Sequence, residues 1–579
     1  MMRRQGWLVV AAVAAAVLAS APAAQAGDTF TKQATATGTG GAAATVDVLG
    51  TKAAIRTLKR GGNAIDAAVS AAGVLGVTEP FSSGIGGGGF MVIRTRDGKV
   101  TTIDGRETAP ADMEPTSFIE NGKPLAFNEA RWSGLSVGVP GTVATWDQAL
   151  RRYGTISLRQ ALRPGARVAR RGFTVDQTFF DQTDAAKDWF DDVPSTAAIY
   201  LDADGTPRDV GTTLRNPDMA KAYRYIGRHG ADGFYRGPLA DAMAQAAQHP
   251  PIDTATANHT WRPGLMTASD IAGYDAIWRK PTHVGYRGLD VWSMGPPSSG
   301  GSTVGEALNI LEGYTPLGSD RAEALHRYIE ASRYSFADRN AYLADPAYFD
   351  VPLRGLLSDS FASERRSLIT EKAANAVVAP GDPYDNEGKS TTHLVVTDAN
   401  GNVVSYTFTI ESTGGSGIVV PGWGFLLNNE LTDFNYDSTT AANKAEGGKR
   451  PRSSMAPTIV TRHGKPVLAV GSPGGATIIT TVLQILVDHF DLASTLPEAI
   501  AAPRVSQRNA VQSDAEPAFI ASPEAATLIN RHGHKEFKEV KEIGAATGID
   551  FLGDGRLLAA AEPTRRGGGS AAVVQGQTP

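Results

Sequence analysis

A threonine gains catalytic chemistry when its own α-amine is free, because hydroxyl and amine then sit on one residue as nucleophile and general base. Thr391-Thr392-His393 has the local signs of such a residue. A polar, Gly/Asp/Asn-rich segment from Ala379 to Ser390 runs into it. The strand-like runs Leu394-Val395-Val396 and Val403 to Ile410 follow, joined by a turn at Asp398-Ala399-Asn400-Gly401-Asn402. A cut between Ser390 and Thr391 exposes an α-amine that titrates at about 7.7–8.0. A fraction is then neutral at physiological pH and takes the hydroxyl proton. Thr pairs also suit pleated surfaces, so the tripeptide alone leaves both readings open.

Three other stretches carry candidate chemistry, each with a structural alternative. Arg106, in Asp104-Gly105-Arg106-Glu107, is a carboxylate fork or one half of a surface ion pair. Ser453 and Ser454 put two hydroxyls on a loop bounded by Pro451 and Pro457, which turn chemistry also explains. Gly474 and Gly475 precede a helix starting at Thr477, where backbone N–H groups stabilise an oxyanion or merely make a turn. That stretch resembles the hydrolase elbow G-x-S-x-G only superficially, since Pro473 and Gly474 interrupt it. Gly84-Ile85-Gly86-Gly87-Gly88-Gly89 satisfies G-x-G-x-x-G, but Pro80 precedes it and the strand-like Phe90 to Arg94 follows. A dinucleotide site needs a strand before and a helix after, so close backbone packing is expected instead.

The elements that must position these groups mix helices and strands in runs, which predicts an α+β fold rather than a doubly wound sheet. Leu49 to Leu75 reads helical with a break at Lys59-Arg60-Gly61-Gly62-Asn63. Residues 151–277 read as largely helical, Arg321 to Ala344 as one long helix, and Tyr286 to Ser293 as one strand. Strands are expected to dominate from Thr391 to the helix Thr477 to Asp488. The chain has 579 residues, 42% hydrophobic and 20% charged, enough for a large core. Its net charge of -5 implies no nucleic-acid or anionic-membrane partner. With no cysteine and no HExxH among ten His, neither thiol catalysis nor a metal or other cofactor is expected. Arg3-Arg4, the apolar run Trp7 to Leu18 and Ala24-Gln25-Ala26 read as a signal peptide over residues 1–26, predicting a secreted or periplasmic protein.

Taken together, the chain resembles the gamma-glutamyltranspeptidase family of N-terminal nucleophile hydrolases. The likeness runs through Gly-Gly-Asn-Ala-x-Asp-Ala-Ala at 61–68, Gly-Ile-Gly-Gly-Gly-Gly-Phe at 84–90 and Val-Pro-Gly-Thr-Val-Ala at 139–144. It continues through Pro-Pro-Ser-Ser-Gly-Gly at 296–301, Thr-Thr-His at 391–393 and Gly-x-Leu-Leu-Asn-Asn-Glu-Leu-x-Asp-Phe at 424–434. It ends with Arg-Pro-x-Ser-Ser-Met-x-Pro-Thr-Ile-Val at 450–460 and Gly-Ser-Pro-Gly-Gly at 471–475. The resemblance implies a four-layer αββα sandwich and a zymogen that cuts itself into a large subunit, residues 27–390, and a small one, 391–579. The two stay together as a heterodimer. Thr391 attacks the γ-amide of glutathione or a related donor, with Thr409 supporting it and Gly474 and Gly475 as the oxyanion hole. Arg106, Ser453 and Ser454 match the group that holds the donor α-carboxylate, and Glu430 and Asp433 the group that holds its α-ammonium. The γ-glutamyl group passes to water or to an amino acid or peptide.

Two departures bear on specificity. Glu411 stands where the family has Asn, which adds a third carboxylate beside Glu430 and Asp433. The stretch from Asp433 to Ser453 is shorter than in members with a lid, predicting an open cleft. The competing readings are an acylase of the same superfamily that cleaves glutaryl-type amides, and an unprocessed secreted binding protein.

Overall fold

A computed structural model describes residues 30–255, 257–379 and 391–576. The expected signal segment, Ser390 and nearly all of the polar approach to Thr391 lie outside the described residues. From Lys32 onward the chain forms one unit built on a 13-stranded antiparallel array.

The array is two sheets laced by one strand. The first sheet orders Ile277–Arg279, Val100–Gly105, Gly88–Arg94, Val403–Thr409 and Thr392–Asp398 side by side. The second orders Thr282–Tyr286, Leu289–Ser293, Thr458–Arg462, Lys465–Gly471, Thr547–Phe551 and Leu557–Ala561. The long strand Thr35–Thr45 joins them: residues 35–38 pair with Leu557–Ala561, and residues 41–45 pair with Thr392–Asp398. Its register against Ser570–Gly576 shifts between Thr39 and Ala42. Gly40 and Gly41 lie there at φ +80 and +120, where glycine makes the bulge without strain.

Helices cover both outer faces, giving the four αββα layers. Ala64–Thr78 packs on the first sheet and Thr477–Phe490 and Gly300–Glu312 on the second. Ala64–Thr78 is buried on all sides and opens with a reciprocal Asn63–Asp66 capping box. Its small residues allow the close crossing expected of them: a Cβ on Gly165 would strike the backbone at Gly73.

The glycine-rich loop is the backbone contact predicted. A side chain on Gly86 would run into the Leu426 carbonyl, and one on Gly87 into the Thr409 carbonyl. Two expectations are corrected. Tyr286 to Ser293 is not one strand but the second half of a hairpin turning at Arg287 and Gly288. Between Thr409 and Thr458 the described chain is irregular, with a 3-10 turn at Glu430–Asp433 in place of strands.

Candidate active site

Strand register sets the nucleophile candidate opposite its support. Thr392 pairs with Phe408 and His393 with Thr407, so Thr391 faces Thr409 one step further on. Alternation puts all four of Thr391, His393, Thr407 and Thr409 on one face of the sheet. Thr391 Oγ1 and Thr409 Oγ1 are 3.4 Å apart. The Thr409 hydroxyl oxygen accepts the Glu411 N–H at 2.9 Å, which fixes its lone pairs. Thr391 is buried, and Arg566 Nη1 donates to its carbonyl oxygen at 2.7 Å. His393 is a spacer between the sheets. Its ring fills the place a Gly471 side chain would take, its Nδ1 bonds Thr407 Oγ1 at 2.8 Å, and burial pushes it down to about 3. Burial therefore favours its neutral form.

Arg106 organises the acidic wall. Its guanidinium donates to Glu430 through Nη1 and to Asp433 through Nη2. It also donates to the Pro451 carbonyl at 3.0 Å and the Arg452 carbonyl at 2.8 Å. Burial disfavours its charge, but Glu430 and Asp433 outweigh this and keep it protonated. The expected fork for a donor carboxylate is therefore largely taken up by protein groups, and among the described residues one Nη1 hydrogen is left over. Asp433 is buttressed from behind by Asn443, whose Nδ2 donates to the Asp433 carbonyl at 2.7 Å.

Glu430 has a neighbour that the sequence did not single out. The Glu107 carboxyl is fully buried and lies against it. Among the described residues, neither Glu107 oxygen nor Glu430 Oε2 meets a hydrogen-bond donor from another group. Burial pushes Glu107 up to about 7 and Glu430 well above the usual carboxylate range; the Glu107 charge raises Glu430 further, while a side-chain hydrogen bond from Glu430 holds Glu107 down. One proton shared between the two carboxyls removes the like-charge conflict and supplies the missing donor.

Glu411 completes this wall. Its carboxylate accepts from Asn429 Nδ2, and its backbone sits at φ +75, a conformation that costs a residue of its kind about 1–3 kcal/mol. Opposite lie the serines. Ser454 Oγ accepts from Arg339 Nη2 at 2.6 Å. Ser453 Oγ accepts the Met455 N–H at 3.1 Å, while its carbonyl accepts from Ser299 N at 2.7 Å. Thr391, Thr409, Arg106, Glu411, Glu430, Asp433, Ser453, Ser454 and Gly475 all line one cavity. Gly474 does not line it but adjoins Gly475 in the loop ahead of Thr477–Phe490. Both glycines have positive φ, +136 and +58, so the turn requires them. The cavity holds about 20 Å³, room for a water.

Residues 435–450 do not line this cavity. Tyr436 and Ala445 instead pack down into a cluster with Met113, Phe118 and Phe434. Glu107, Asn429, Asn443, Arg339 and Arg566 escaped the sequence reading. The motif Pro-Pro-Ser-Ser at 296–299 held a partial signal for one of them, since Ser299 Oγ accepts from Arg339 Nε at 2.8 Å.

Comparison with known proteins accords with this geometry. Residues 50–572 match the family model described as Gamma-glutamyltranspeptidase. The glutathione hydrolase proenzyme of Bacillus subtilis (strain 168) is 38% identical over 559 residues, covering 92% of this chain and 91% of that protein. The acylase ACY 1 proenzyme of Pseudomonas sp. (strain SE83) is 36% identical over 536 residues, covering 91% and 92%. The crystal structure of cephalosporin acylase from Bacillus halodurans superposes with a TM-score of 0.82 at 30% identity, covering 95% and 98%. With the sandwich and the family match in agreement, the chain belongs to the gamma-glutamyltranspeptidase family of N-terminal nucleophile hydrolases.

Proposed function

We propose that the chain is an exported, self-processing γ-glutamyl hydrolase and transferase acting on glutathione and related γ-glutamyl amides. The observation that carries this reading is the opposition of the Thr391 and Thr409 hydroxyls, 3.4 Å apart, in a cavity with an acidic wall facing two serines. Thr391 Oγ attacks the Ser390 carbonyl, the acyl group shifts from nitrogen to oxygen, and water hydrolyses the ester. Residue 391 then carries a free amine, and residues 27–390 and 391–579 remain as two subunits.

In turnover the amine takes the hydroxyl proton as Oγ attacks the donor γ-carbonyl. The Gly474 and Gly475 N–H groups stabilise the oxyanion. The leaving amine takes the proton, and the γ-glutamyl ester on Thr391 passes to water or to an acceptor amine. The donor α-carboxylate meets Ser453, Ser454 and the remaining N–H of Arg106. Its α-ammonium meets Asp433, Glu411 and Glu430. Incubating purified protein with a γ-glutamyl anilide, with and without a dipeptide acceptor, tests this. Release of the aniline together with two bands on a denaturing gel is expected. One band and no release would leave the unprocessed binding protein as the reading.

The likeness to acylases supports a second reading, cleavage of glutaryl amides. Such donors keep the carboxylate but lack the ammonium, so the acidic wall gains nothing from them. Faster release from a glutaryl anilide than from a γ-glutamyl anilide would favour it.

A further inference from the structure

Charge is segregated in this molecule. On the outer face of the first sheet's helical layer, Val48–Lys59 and Leu158–Arg171 flank a depression of about 440 Å³. Lys52, Arg56 and Arg60 form one wall and Arg163 and Arg167 the other, with Val74 of the buried helix between them as floor. Arg163 and Arg167 also line a second depression of about 370 Å³, facing Arg224 and Arg228 of Pro217–His229. Among the described residues no Asp or Glu lines either depression. Arg163 and Arg167 are exposed and lie four residues apart, about 6 Å along the helix. Like charges gathered this way repel each other, and an anion in the groove relieves that repulsion.

We propose that these grooves bind a linear chain of phosphate groups without bases. Cations stand on both walls of each groove, so the occupant must present charge on two sides. A tetrahedral phosphate does so, and the guanidinium fork fits its oxygens. The grooves are far smaller than a nucleic-acid duplex. Neither is lined by an exposed aromatic ring on which the bases of a single strand could stack. The exposed large apolar side chains, Val210, Tyr348, Leu368, Val377 and Val511, lie on none of these three helices, so nothing is positioned to insert into a bilayer. The site is independent of the donor cavity. It adjoins Gly62, near Ala64, whose N–H bonds Asp398 at the far end of the strand that Thr391 leads into.

The test is calorimetric titration of the full protein with inorganic polyphosphate. With four phosphates engaged, affinity should fall on the order of 50-fold between about 50 and 200 mM salt. The double variant Arg163→Glu/Arg167→Glu should lose binding at least tenfold while hydrolysing a γ-glutamyl anilide at the wild-type rate. Arg163→Gln/Arg167→Gln should lose it less, and Arg163→Lys/Arg167→Lys should keep most of it. Single-stranded DNA, orthophosphate and vesicles rich in phosphatidylglycerol should each bind more weakly than the chain. Equal polyphosphate affinity in wild type and the glutamate variant would overturn the proposal. So would tighter binding of the DNA or the vesicles.

Discussion

Arginine does opposite work in two regions of this protein. Arg106 is wholly buried and spends its guanidinium on two carboxylates and two carbonyls. Arg163 and Arg167 are exposed, and the grooves they line contain no acid. The first region is pre-arranged, so every substitution there should be felt. The second is an open face whose charge is free to be altered. A net charge of -5 averages over both and describes neither, and composition spoke only against a nucleic-acid or anionic-membrane partner.

The strongest test of the pre-arranged region is Thr391→Ala. It should leave one uncut chain on a denaturing gel, with γ-glutamyl anilide hydrolysis at background. Cutting at Ser390–Thr391 in that variant would remove Thr391 as the agent of processing.

Arg106→Ala should come next. It leaves Glu430 and Asp433 buried without their countercharge, which costs about 3–5 kcal/mol. Denaturant unfolding should register this, and donor KM should rise. Arg106→Lys should recover little, because one ammonium cannot span both acids. An unchanged unfolding midpoint in Arg106→Ala would mean that the arrangement does not depend on the arginine.

The Glu107–Glu430 pair should set a pH dependence of stability. An ordinary Glu titrates near 4.5, whereas folded Glu107 holds its proton up to about 7. Below about pH 4.5 both folded and unfolded chains carry it, and the pair's contribution is complete. As pH rises from there to about 7, the unfolded chain sheds the proton first, and this stability is lost. Thermal unfolding followed across pH 4–8 should show that decline, and Glu107→Gln should flatten it. An identical decline in the variant would assign it to other groups.

The smallest effect expected is that of Glu411→Asn. Asparagine tolerates φ +75 better than glutamate does, so the variant should gain on the order of 1 kcal/mol. Losing one carboxylate from the acidic wall should also lower the preference for γ-glutamyl over glutaryl anilides. An unchanged ratio of specificity constants would place Glu411's carboxylate outside donor recognition.

What the sequence made legible was local. The strand after Thr391, the helix break at Lys59 to Asn63 and the close-packed glycines at 86–87 each follow from residue type and near neighbours. The missed features depend on distant partners. The hairpin turn places Arg287 at φ +51, where sequence reasoning looks for Asn or Gly. It is held there by Asp491 on Nε at 2.7 Å and by Glu312 on its N–H at 2.9 Å. Asn428 bonds Gly86 and Gly138, far away in the chain, while its Oδ1 takes the Glu430 N–H at 3.0 Å. No periodicity announces such a brace. Glu107 reads as the neighbour of Arg106, and only the fold reveals that its partner is Glu430.

The lacing strand has a consequence for assembly. Thr35–Thr45 precedes Thr391 in the chain, yet its hydrogen-bonding neighbours Thr392–Asp398, Leu557–Ala561 and Ser570–Gly576 all follow it. Gly88–Arg94 against Val403–Thr409, and Leu289–Ser293 against Thr458–Arg462, are seams of the same kind. A cut before Thr391 would therefore yield two polypeptides that share both sheets and cannot part without melting them. Such a pair is an obligate dimer whose folding and association are one event. Its melting point should fall on dilution, while halves from different folded molecules should not exchange.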